Sequence, residues 1–312
     1  MTRLIEIRVE DHESAEWAEA TARAIGDRDL RLAAPGTPAE QIDYLIYNVD
    51  SGLTDFAAYG NLKAIFNTWA GLEAVLGHVA WPEHVPFCRM VEPGLTEGMV
   101  EYFTGHVMRY HIEIDRFIAD SAAGRWQKIA PPLARNRTVG ILGLGALGQA
   151  TAEALVNLRF NVRGWSRSPK DIPGVDCFHG QDGLQRVLEQ SEILVVILPQ
   201  TPETIGVLNA QTLAQMRRGA RIINAGRGPL IDDDALLDAL RTGQIAHATL
   251  DVFATEPLPQ DHGYWKNDKV TVTPHIAAVT RADTGATAII QQIDRHLAGE
   301  PLLHIVDPAR GY

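Results

Sequence analysis

Short runs of apolar and β-branched residues alternate along the chain with longer stretches in which apolar residues recur every three or four positions. The short runs predict strands, and the longer stretches predict amphipathic helices. A long helix is predicted over Glu97–Ala119. Before it, the pattern predicts helices at Ser14–Ile25 and from Leu72 onwards, and strands at Leu4–Val9, Tyr44–Tyr47, Leu62–Asn67 and Phe87–Met90.

A second series of elements begins at Thr138, after an irregular connector over residues 124–136. Helical patterns alternate there with short strands in TVGILGLG, NVRGWS, ILVVILP, RIINAG, HATLDVF and KVTVTPH, and a last helix covers about Ala282–Leu297. Strands that are almost wholly apolar are typical of parallel sheets with both faces covered. Two such series in 312 residues predict an α/β protein with two domains.

Composition limits the partners and the compartment. The net charge of −11 disfavours binding to nucleic acid or to an anionic membrane surface. The apolar runs are far shorter than the ~20 residues of a membrane span, and the charged N-terminus lacks the apolar core of a signal peptide. Cys88 and Cys177 have no metal-ligand spacing. We therefore expect free thiols, no metal, no membrane or nucleic-acid partner, and a cytoplasmic location.

A glycine-rich turn follows the first strand of the second series. The sequence GLGALG places Gly143, Gly145 and Gly148 between a strand and a helix, which is the dinucleotide-binding arrangement of a Rossmann-type, doubly wound parallel sheet. Gly143 makes the tight turn, Gly145 lets a pyrophosphate approach, and Gly148 lets the helix pack on the strand. Together with Ala146 and Leu147, at the positive end of the helix, they form the predicted pyrophosphate site.

The end of the next strand favours NADPH over NADH. An NAD site has an acidic residue there, which accepts hydrogen bonds from the ribose 2′-hydroxyl. Ser166 occupies that position here, and Arg167 and Lys170 follow it. A guanidinium binds a 2′-phosphate, whereas a carboxylate repels it. The predicted residues around this phosphate are Trp165, Ser166, Arg167, Ser168 and Lys170, and NADH is the weaker alternative.

Three later segments place reactive side chains directly after strands. Arg227 stands in NAGRGP, Glu256 in DVFATEP and His275 in TPH. Ligands of an open parallel sheet bind beyond the carboxyl ends of its strands, so we expect these side chains to converge there. Arg227 can hold a carboxylate and polarise its neighbouring carbonyl. A hydrogen bond from Glu256 would raise the pKa of His275 and let the imidazolium donate to a developing alkoxide.

The segments GLGALG, ILPQTPET, NAGRGPLID, LDVFATEPLP and VTPHIAAVT resemble those of the D-isomer-specific 2-hydroxyacid dehydrogenases in order and spacing. The N-terminal NTWAGL also looks like this family. Within it, the chain length, the segment WSRSPK and the terminal ARGY are similar to the glyoxylate/hydroxypyruvate reductase A branch. The resemblance implies reduction of glyoxylate and hydroxypyruvate with NADPH, with His275 as the proton donor.

The resemblance also implies an architecture and further site residues. It implies a Rossmann domain over residues 99–283, a smaller flavodoxin-like α/β substrate domain over 1–98 and 284–312, and a homodimer built by the long helix. The backbone N–H groups of Ala70 and Gly71 would bind the substrate carboxylate, as would Arg227, and Asp251 would hold the nicotinamide carboxamide. The other implied cofactor contacts are Leu198, Pro199, Gln200, Thr204, Ala225, Gly226 and Arg227.

Two aromatic residues and two rival functions stay open. Tyr47 and Trp69 either narrow the substrate pocket or pack as core aromatics. The nearest alternative function is a broader 2-oxo acid reductase that accepts larger or aromatic side chains. The alternative from another class is a catalytically idle dinucleotide-sensing scaffold, which the presence of Arg227, Glu256 and His275 disfavours.

Overall fold

The computed structural model describes residues 2–69, 71, 75, 79 and 81–307. The chain divides into two compact units, unit 1 with residues 1–95 and 280–312, and unit 2 with residues 96–279. The predicted domain boundaries, after residues 98 and 283, fall close to these. In chain order the described helices and strands are β1 Arg3–Arg8, α1 Asp11–Ile25, β2 Leu30–Leu32, β3 Tyr44–Tyr47, β4 Ala64–Asn67, β5 Phe87–Cys88, α2 Pro93–His111, α3 Ile114–Ala122, β6 Thr138–Leu142, α4 Ala146–Asn157, β7 Asn161–Ser166, β8 Val175–His179, α5 Gly180–Gln190, β9 Ile193–Val196, α6 Ala210–Gln215, β10 Ala220–Asn224, α7 Asp233–Thr242, β11 Ile245–Leu250, β12 Val270–Val272 and α8 Ala282–Leu297.

The described residues of unit 1 form a five-stranded parallel sheet in the order β2-β1-β3-β4-β5. This is the strand order of flavodoxin-like folds, as predicted. On one face α1 and α8 bury Trp17, Ile289 and Ile293 against the sheet. On the other face the strands pack against the segment that contains Phe56 and Tyr59. Each face therefore has its own apolar core.

The described residues of unit 2 form a seven-stranded parallel sheet in the order β12-β11-β10-β9-β6-β7-β8. Counted from β6, the first six strands have the Rossmann order 3-2-1-4-5-6, so the predicted fold of this unit is confirmed. Helices α2 and α4 cover one face, through residues such as Phe103 and Leu155. Helices α5 to α7 cover the other, through residues such as Val187 and Leu236. The central strands are buried because both faces are covered.

The predicted helix over Glu97–Ala119 is wrong in one respect, because the structure has two helices there. Helix α2 ends at His111, and α3 begins at Ile114. Glu113 lies between them with a left-handed backbone, φ 58°. Its carboxylate forms ion pairs with Arg221 and Arg137. Charge pairing with distant parts of unit 2 thus accompanies a break that helical periodicity does not reveal.

Both cysteines are free: Cys88 is buried, and Cys177 is partly exposed. Across the described ranges, no helix has the length and apolar character needed to cross a lipid bilayer.

Candidate active site

The predicted catalytic segments follow three adjacent strands of unit 2. Arg227 comes after β10, Glu256 after β11 and His275 after β12. These strands are parallel neighbours in the sheet. Their carboxyl ends therefore lie at one edge, where the turn after β6 and the segment after β9 also emerge. An edge of this kind is where open α/β sheets bind their ligands.

His275 and Glu256 form the expected pair. The distance between His275 Nδ1 and Glu256 Oε2 is 2.7 Å, and the second carboxylate oxygen accepts the Phe253 N–H at 2.8 Å. The hydrogen bond to Glu256 raises the pKa of His275, although partial burial lowers it. Partial burial acts to raise the pKa of Glu256, but the hydrogen bonds from His275 and Phe253 outweigh it and hold this pKa below its usual value. The pair therefore favours an imidazolium beside a carboxylate.

Asp251 holds the backbone that carries His275. Its side chain is fully buried, and its Oδ1 accepts the Ile276 N–H at 2.9 Å while Oδ2 accepts the Ala277 N–H at 2.9 Å. Its carbonyl oxygen accepts the His275 N–H at 2.9 Å. His275 itself has a left-handed backbone, φ 54°, which is unfavourable for a residue with a Cβ. Asp251, which is predicted to contact the nicotinamide, therefore also holds the backbone of His275 in place.

The loop that carries Arg227 is braced by the side chain of Asn224. The Asn224 amide donates to the Arg227 carbonyl at 3.0 Å, and its oxygen accepts the Gly226 N–H at 3.0 Å. Arg227 Nη1 donates to the Gly226 carbonyl at 2.7 Å. The guanidinium charge acts to lower the pKa of both His275 and Glu256. Arg227 thus lies within electrostatic range of the acid pair, as the convergence of the strand ends predicts.

Gly228 lies where the loop that carries Arg227 packs against the segment that carries Glu256. A Cβ on Gly228 would lie 1.9 Å from the Phe253 carbonyl carbon and 2.3 Å from the Ala254 nitrogen. Since a real side chain cannot approach a backbone so closely, the contact requires glycine. The loop after β10 and the loop after β11 are therefore in direct backbone contact.

The glycine turn after β6 has three differently constrained positions. Gly143 has φ 108°, and a Cβ there would meet the Ile197 carbonyl oxygen at 2.7 Å. A Cβ on Gly148 would lie 1.8 Å from the Gly143 carbonyl oxygen, so α4 packs directly on the turn. Nothing lies within 4 Å of a Cβ on Gly145, which is exposed together with Ala146 at the start of α4. Leu147 packs partly into the core of unit 2.

The last residues of β7 are anchored by side-chain hydrogen bonds, and the segment after β7 is exposed. Trp165 Nε1 donates to the Gly180 carbonyl at 2.8 Å, and Ser166 Oγ donates to the Ser168 carbonyl at 2.8 Å. Residues 167 to 170 are exposed, so Arg167 and Lys170 are accessible to a ligand. Hydrogen bonds from the Thr201 side chain and the backbone lower the pKa of Glu203, and the nearby Arg167 charge makes a smaller contribution in the same direction.

The segment after β9 has one buried and two exposed residues among those implied by the resemblance. Leu198 is buried, whereas Pro199 and Gln200 are exposed at the strand end. The Thr204 hydroxyl donates to the Pro199 carbonyl at 2.7 Å and accepts the Thr201 N–H at 2.8 Å. Thr204 therefore shapes the loop through its hydroxyl. After β10, Ala225 and Gly226 are buried, and a Cβ on Gly226 would lie 2.9 Å from the Leu198 carbonyl oxygen.

The predicted substrate contacts in unit 1 have different outcomes. Tyr47 is a core aromatic: it is fully buried, its hydroxyl donates to the Leu53 carbonyl at 2.9 Å, and its ring packs against Phe56 and Phe87. Of the two alternatives left open for Tyr47, its position in the structure is that of a core aromatic, not of a residue that narrows the pocket. Trp69 is half-buried, and its carbonyl accepts the Met90 N–H at 3.1 Å. Gly71 is partly exposed. Ala70 lies outside the described residues, as do the terminal residues ARGY, and the carboxylate role of Ala70 and Gly71 stays a prediction.

Comparison with known proteins identifies the family. Residues 104–277 match the model of the D-isomer specific 2-hydroxyacid dehydrogenase NAD binding domain, which is more than half of the chain. The chain belongs to the D-isomer-specific 2-hydroxyacid dehydrogenases. The matched residues contain every strand-end segment of unit 2 described above.

Several members of this family are similar over nearly the whole chain. A glyoxylate/hydroxypyruvate reductase A of Serratia proteamaculans is 37% identical over 302 residues, which cover 95% of this chain and 96% of the relative. A dehydrogenase of this family from Xanthobacter autotrophicus Py2, solved with NADPH and MES, is 40% identical with a TM-score of 0.88 and full coverage of both chains. An NADPH-dependent glyoxylate/hydroxypyruvate reductase of Sinorhizobium meliloti, solved with NADP and sulfate, is 33% identical with a TM-score of 0.87, and the match covers 99% of this chain and 100% of that one.

Two residues contact the site of this dehydrogenase without any distinctive sequence signal. Thr273 Oγ1 lies 2.6 Å from Asp251 Oδ1, and the Tyr102 hydroxyl lies 2.8 Å from Thr273 Oγ1. Thr273 is part of the TPH motif, which predicts a role only for its histidine. Tyr102 lies inside α2, where helical periodicity makes it look like an ordinary packing residue. Within the part of the chain that the structure describes, no group of three or more His, Cys, Asp or Glu side chains is placed to hold a metal ion.

Proposed function

We propose that this dehydrogenase reduces small 2-oxo acids, with glyoxylate and hydroxypyruvate as its substrates and NADPH as its cofactor. One observation carries the proposal, the hydrogen bond of 2.7 Å between His275 and Glu256. It favours a protonated imidazole at the ligand-binding edge of a Rossmann sheet, within range of the Arg227 charge. The name of the Serratia relative supports the substrate class, and the NADPH and NADP complexes of the two bacterial structures support the cofactor.

The residues at the strand ends fit NADPH. The open space at Gly145 leaves room for a pyrophosphate, whose charge the N-terminus of α4 would stabilise. We assign the 2′-phosphate to Arg167 and Lys170, with a hydroxyl donor from Ser168. Ser166, whose hydroxyl donates to the Ser168 carbonyl, would hold this segment in place beside the phosphate. The adenosine would lie against Leu198 and Pro199, with Thr204 near it. Gln200 is a further assigned cofactor contact, and Trp165 would lie beside the 2′-phosphate. The bound cofactor supplies the hydride, and the remaining chemistry belongs to the side chains of the chain.

Arg227 and His275 divide the handling of the substrate. The Arg227 guanidinium binds the carboxylate of the 2-oxo acid and polarises its carbonyl. Because Nδ1 of His275 is engaged by Glu256, the other ring nitrogen, Nε2, donates its proton to the carbonyl oxygen as that oxygen gains charge. Glu256 keeps the proton on Nδ1 and stabilises the imidazolium before transfer. Asp251 adds negative charge that raises the pKa of His275 further, and we assign it the nicotinamide carboxamide.

We assign dinucleotide binding to unit 2, which contains all the cofactor residues named above, and substrate binding through Ala70 and Gly71 to unit 1. A homodimer and a cytoplasmic location complete the proposal. The dimer is supported by exposed apolar side chains in unit 2, among them Ile118 and Trp126, which are 63% and 98% exposed.

A kinetic panel tests this function. Glyoxylate, hydroxypyruvate, pyruvate and phenylpyruvate would each be assayed with NADPH and with NADH, following the loss of nicotinamide absorbance between pH 5 and 8. We expect the highest kcat/KM for the two small substrates with NADPH, because pocket volume determines such discrimination. A higher kcat/KM for phenylpyruvate would favour the broader reductase. Absence of turnover with every oxo acid would contradict the enzyme and favour the sensing scaffold.

The variant His275→Ala tests the assignment of the proton donor. We expect its kcat to fall by ~10²-fold or more, the usual contribution of a positioned acid, with the NADPH KM little changed. His12→Ala is the matched control, because this exposed histidine lies on α1 of unit 1 and also has a carboxylate beside it, that of Glu10 at 3.5 Å. A near-normal rate for His275→Ala would mean that another group donates the proton.

A further inference from the structure

A chain of hydroxyl groups connects helix α2 to the segment that carries His275. Tyr102 is half-buried on α2, and its hydroxyl oxygen lies 2.8 Å from Thr273 Oγ1. Thr273 Oγ1 in turn lies 2.6 Å from Asp251 Oδ1. All three residues belong to unit 2. The chain of contacts therefore leads from an ordinary helix position to a buried carboxylate beside the proposed acid.

The direction of these hydrogen bonds follows from the number of hydrogen atoms available. The Asp251 carboxylate already accepts the N–H groups of Ile276 and Ala277, so it acts as an acceptor toward Thr273 as well. A threonine hydroxyl has one hydrogen, and that hydrogen is used toward Asp251. Thr273 must therefore accept from Tyr102, and the Tyr102 hydroxyl is the donor that starts the chain.

The chain ends on the backbone that orients the imidazole. The Asp251 side chain binds the two N–H groups that follow His275, and the Asp251 carbonyl binds the N–H group of His275 itself. His275 has the unfavourable φ of 54°, and the hydrogen bonds on both sides of it offset that cost. The direction in which the imidazole projects depends on this φ. A shift of the Asp251 carboxylate would thus reorient His275 relative to Glu256.

We propose that Tyr102 and Thr273 are positioning residues that fix the Asp251 carboxylate and, through it, the orientation of the His275 imidazole. Neither hydroxyl contacts a reacting atom. The proposal rests on the proposed function, in which His275 is the proton donor, and extends it to a helix outside the strand-end segments.

Four variants separate positioning from general stabilisation. Tyr102→Phe removes only the donor hydroxyl, Thr273→Val removes the middle hydroxyl at nearly constant volume, and Thr273→Ser restores that hydroxyl. Tyr110→Phe is the matched control, since this tyrosine is on the same helix and its hydroxyl is equally engaged, with Thr249 at 2.6 Å and His247 at 2.8 Å. The hydroxyl of Tyr110 has no hydrogen bond to Thr273 or Asp251.

The kinetic readouts are kcat, both KM values and the solvent isotope effect on kcat, with Tm measured in parallel. We expect Tyr102→Phe and Thr273→Val to lower kcat by ~10-fold to ~10²-fold, since a misplacement of about 1 Å costs up to ~10²-fold. The KM for the oxo acid should stay within about twofold of the wild type, whereas the NADPH KM should rise, because Asp251 is also assigned the nicotinamide carboxamide. The solvent isotope effect should rise as proton transfer becomes slower. The double variant should be no slower than Thr273→Val, because Tyr102 acts through Thr273. Thr273→Ser should recover most of the rate.

A second readout uses the cofactor-free protein. The proton on His275 Nδ1 that is hydrogen-bonded to Glu256 gives a downfield NMR resonance when the pair is ordered. We expect this resonance to broaden or disappear in Tyr102→Phe and Thr273→Val, and to persist in Thr273→Ser and Tyr110→Phe.

The outcomes divide as follows. A loss of kcat and of the resonance in the first two variants, with Tyr110→Phe lowering Tm but not kcat, supports positioning. If Tyr102→Phe changes only Tm, or if Thr273→Ser is as slow as Thr273→Val, the proposal is overturned. Absence of 2-oxo acid turnover in the wild type would contradict the proposed function alone, and the NMR comparison would then decide the positioning role by itself.

Discussion

The imidazole of His275 is subject to opposing electrostatic influences. Its hydrogen bond to Glu256 raises its pKa, while partial burial and the Arg227 charge act to lower it. The carboxylates outweigh the arginine, so the pKa of His275 lies above its ordinary value. This balance suits an acid that must remain protonated near neutral pH and still lose its proton to an alkoxide.

Replacing Glu256 by Gln tests this balance. A raised pKa keeps the imidazole protonated to higher pH, so removing the negative charge should lower the pKa of His275. We expect the basic limb of the kcat/KM–pH profile to move to lower pH, because the protonated acid disappears earlier as pH rises. Glu189→Gln on the exposed surface of α5 is the control and should leave the limb in place. An unmoved limb in Glu256→Gln would contradict the pairing.

The proposed preference for NADPH also depends on single residues. In Arg167→Asp a carboxylate would face the 2′-phosphate, so we expect a large rise in the NADPH KM and a much smaller change for NADH. The control is Arg217→Asp, which makes the same charge change at an exposed position just before β10, at the opposite edge of the sheet. Steady-state KM values for both cofactors provide the measurement. Equal damage to NADPH and NADH binding would argue against a phosphate role for Arg167.

The residues of the acid pair could be predicted from the sequence because each follows a strongly apolar strand, and parallel strands end at one edge. Tyr47 could not be judged in the same way. An aromatic residue at a strand end is equally suited to a pocket or to a core, and only the packing of Phe56 and Phe87 around it decides between them. Tyr102 carries no signal at all, since its role depends on a hydroxyl contact across 171 residues of sequence.

At the scale of elements, the glycine turn after β6 combines a structural position, Gly148, with one that we assign to cofactor binding, Gly145. Gly148 faces the Gly143 carbonyl, whereas Gly145 faces open space. We expect Gly145→Ala to keep the wild-type Tm and to raise the NADPH KM, because its methyl group would occupy the space assigned to the pyrophosphate. Gly148→Ala should lower Tm, because its Cβ would overlap the turn. Calorimetry and NADPH titration would check both variants, and an unchanged NADPH affinity in Gly145→Ala would refute its assigned role.

The elements that could be predicted from the sequence are those with long apolar patterns. Strands β6, β9 and β10 are buried in the middle of the sheet, and α8 covers the predicted Ala282–Leu297. The missed elements are short or lie at an edge: β2 has three residues, α6 has six, and β8 is the partly exposed edge strand. Helix α6 does have a local signal, because the side chains of Asn209 and Thr212 form a capping box at its start.

At the scale of the whole molecule, the alternation of strands and helices predicts two α/β units, and the structure has a flavodoxin-like and a Rossmann-like strand order in them. The order of the strands depends on the face of the sheet that each connecting helix covers. The sequence alone does not reveal the face on which a given helix packs. The C-terminal helix shows the difficulty. Helix α8 follows the last strand of unit 2 in the chain, yet it packs against α1 of unit 1.

The proposed homodimer needs an apolar surface, and unit 2 has exposed apolar side chains that we assign to it. Ile114 and Ile118 lie four residues apart on α3, so they share one face of the helix. Trp126 and Leu133 follow in the connector and are 98% and 56% exposed. Contiguous apolar patches on a protein surface commonly mark interaction sites, and we assign the proposed dimer contact to these side chains. A tryptophan buried at an interface commonly contributes about 2 kcal/mol or more to association.

We therefore expect the double variant Ile118→Glu, Trp126→Ser to be monomeric at micromolar concentration, where the wild type should have twice the chain mass of 34.2 kDa. Each copy of the variant would bring one glutamate to the two-fold interface and lose one indole ring there. The association free energy would be lost, because both glutamate charges would have to be desolvated. Sedimentation velocity measures the mass. Leu297→Glu, at an equally apolar and 50% exposed position at the end of α8, is the control and should remain dimeric. A wild type that sediments as a monomer, or a double variant that still dimerises, would exclude this surface as the interface.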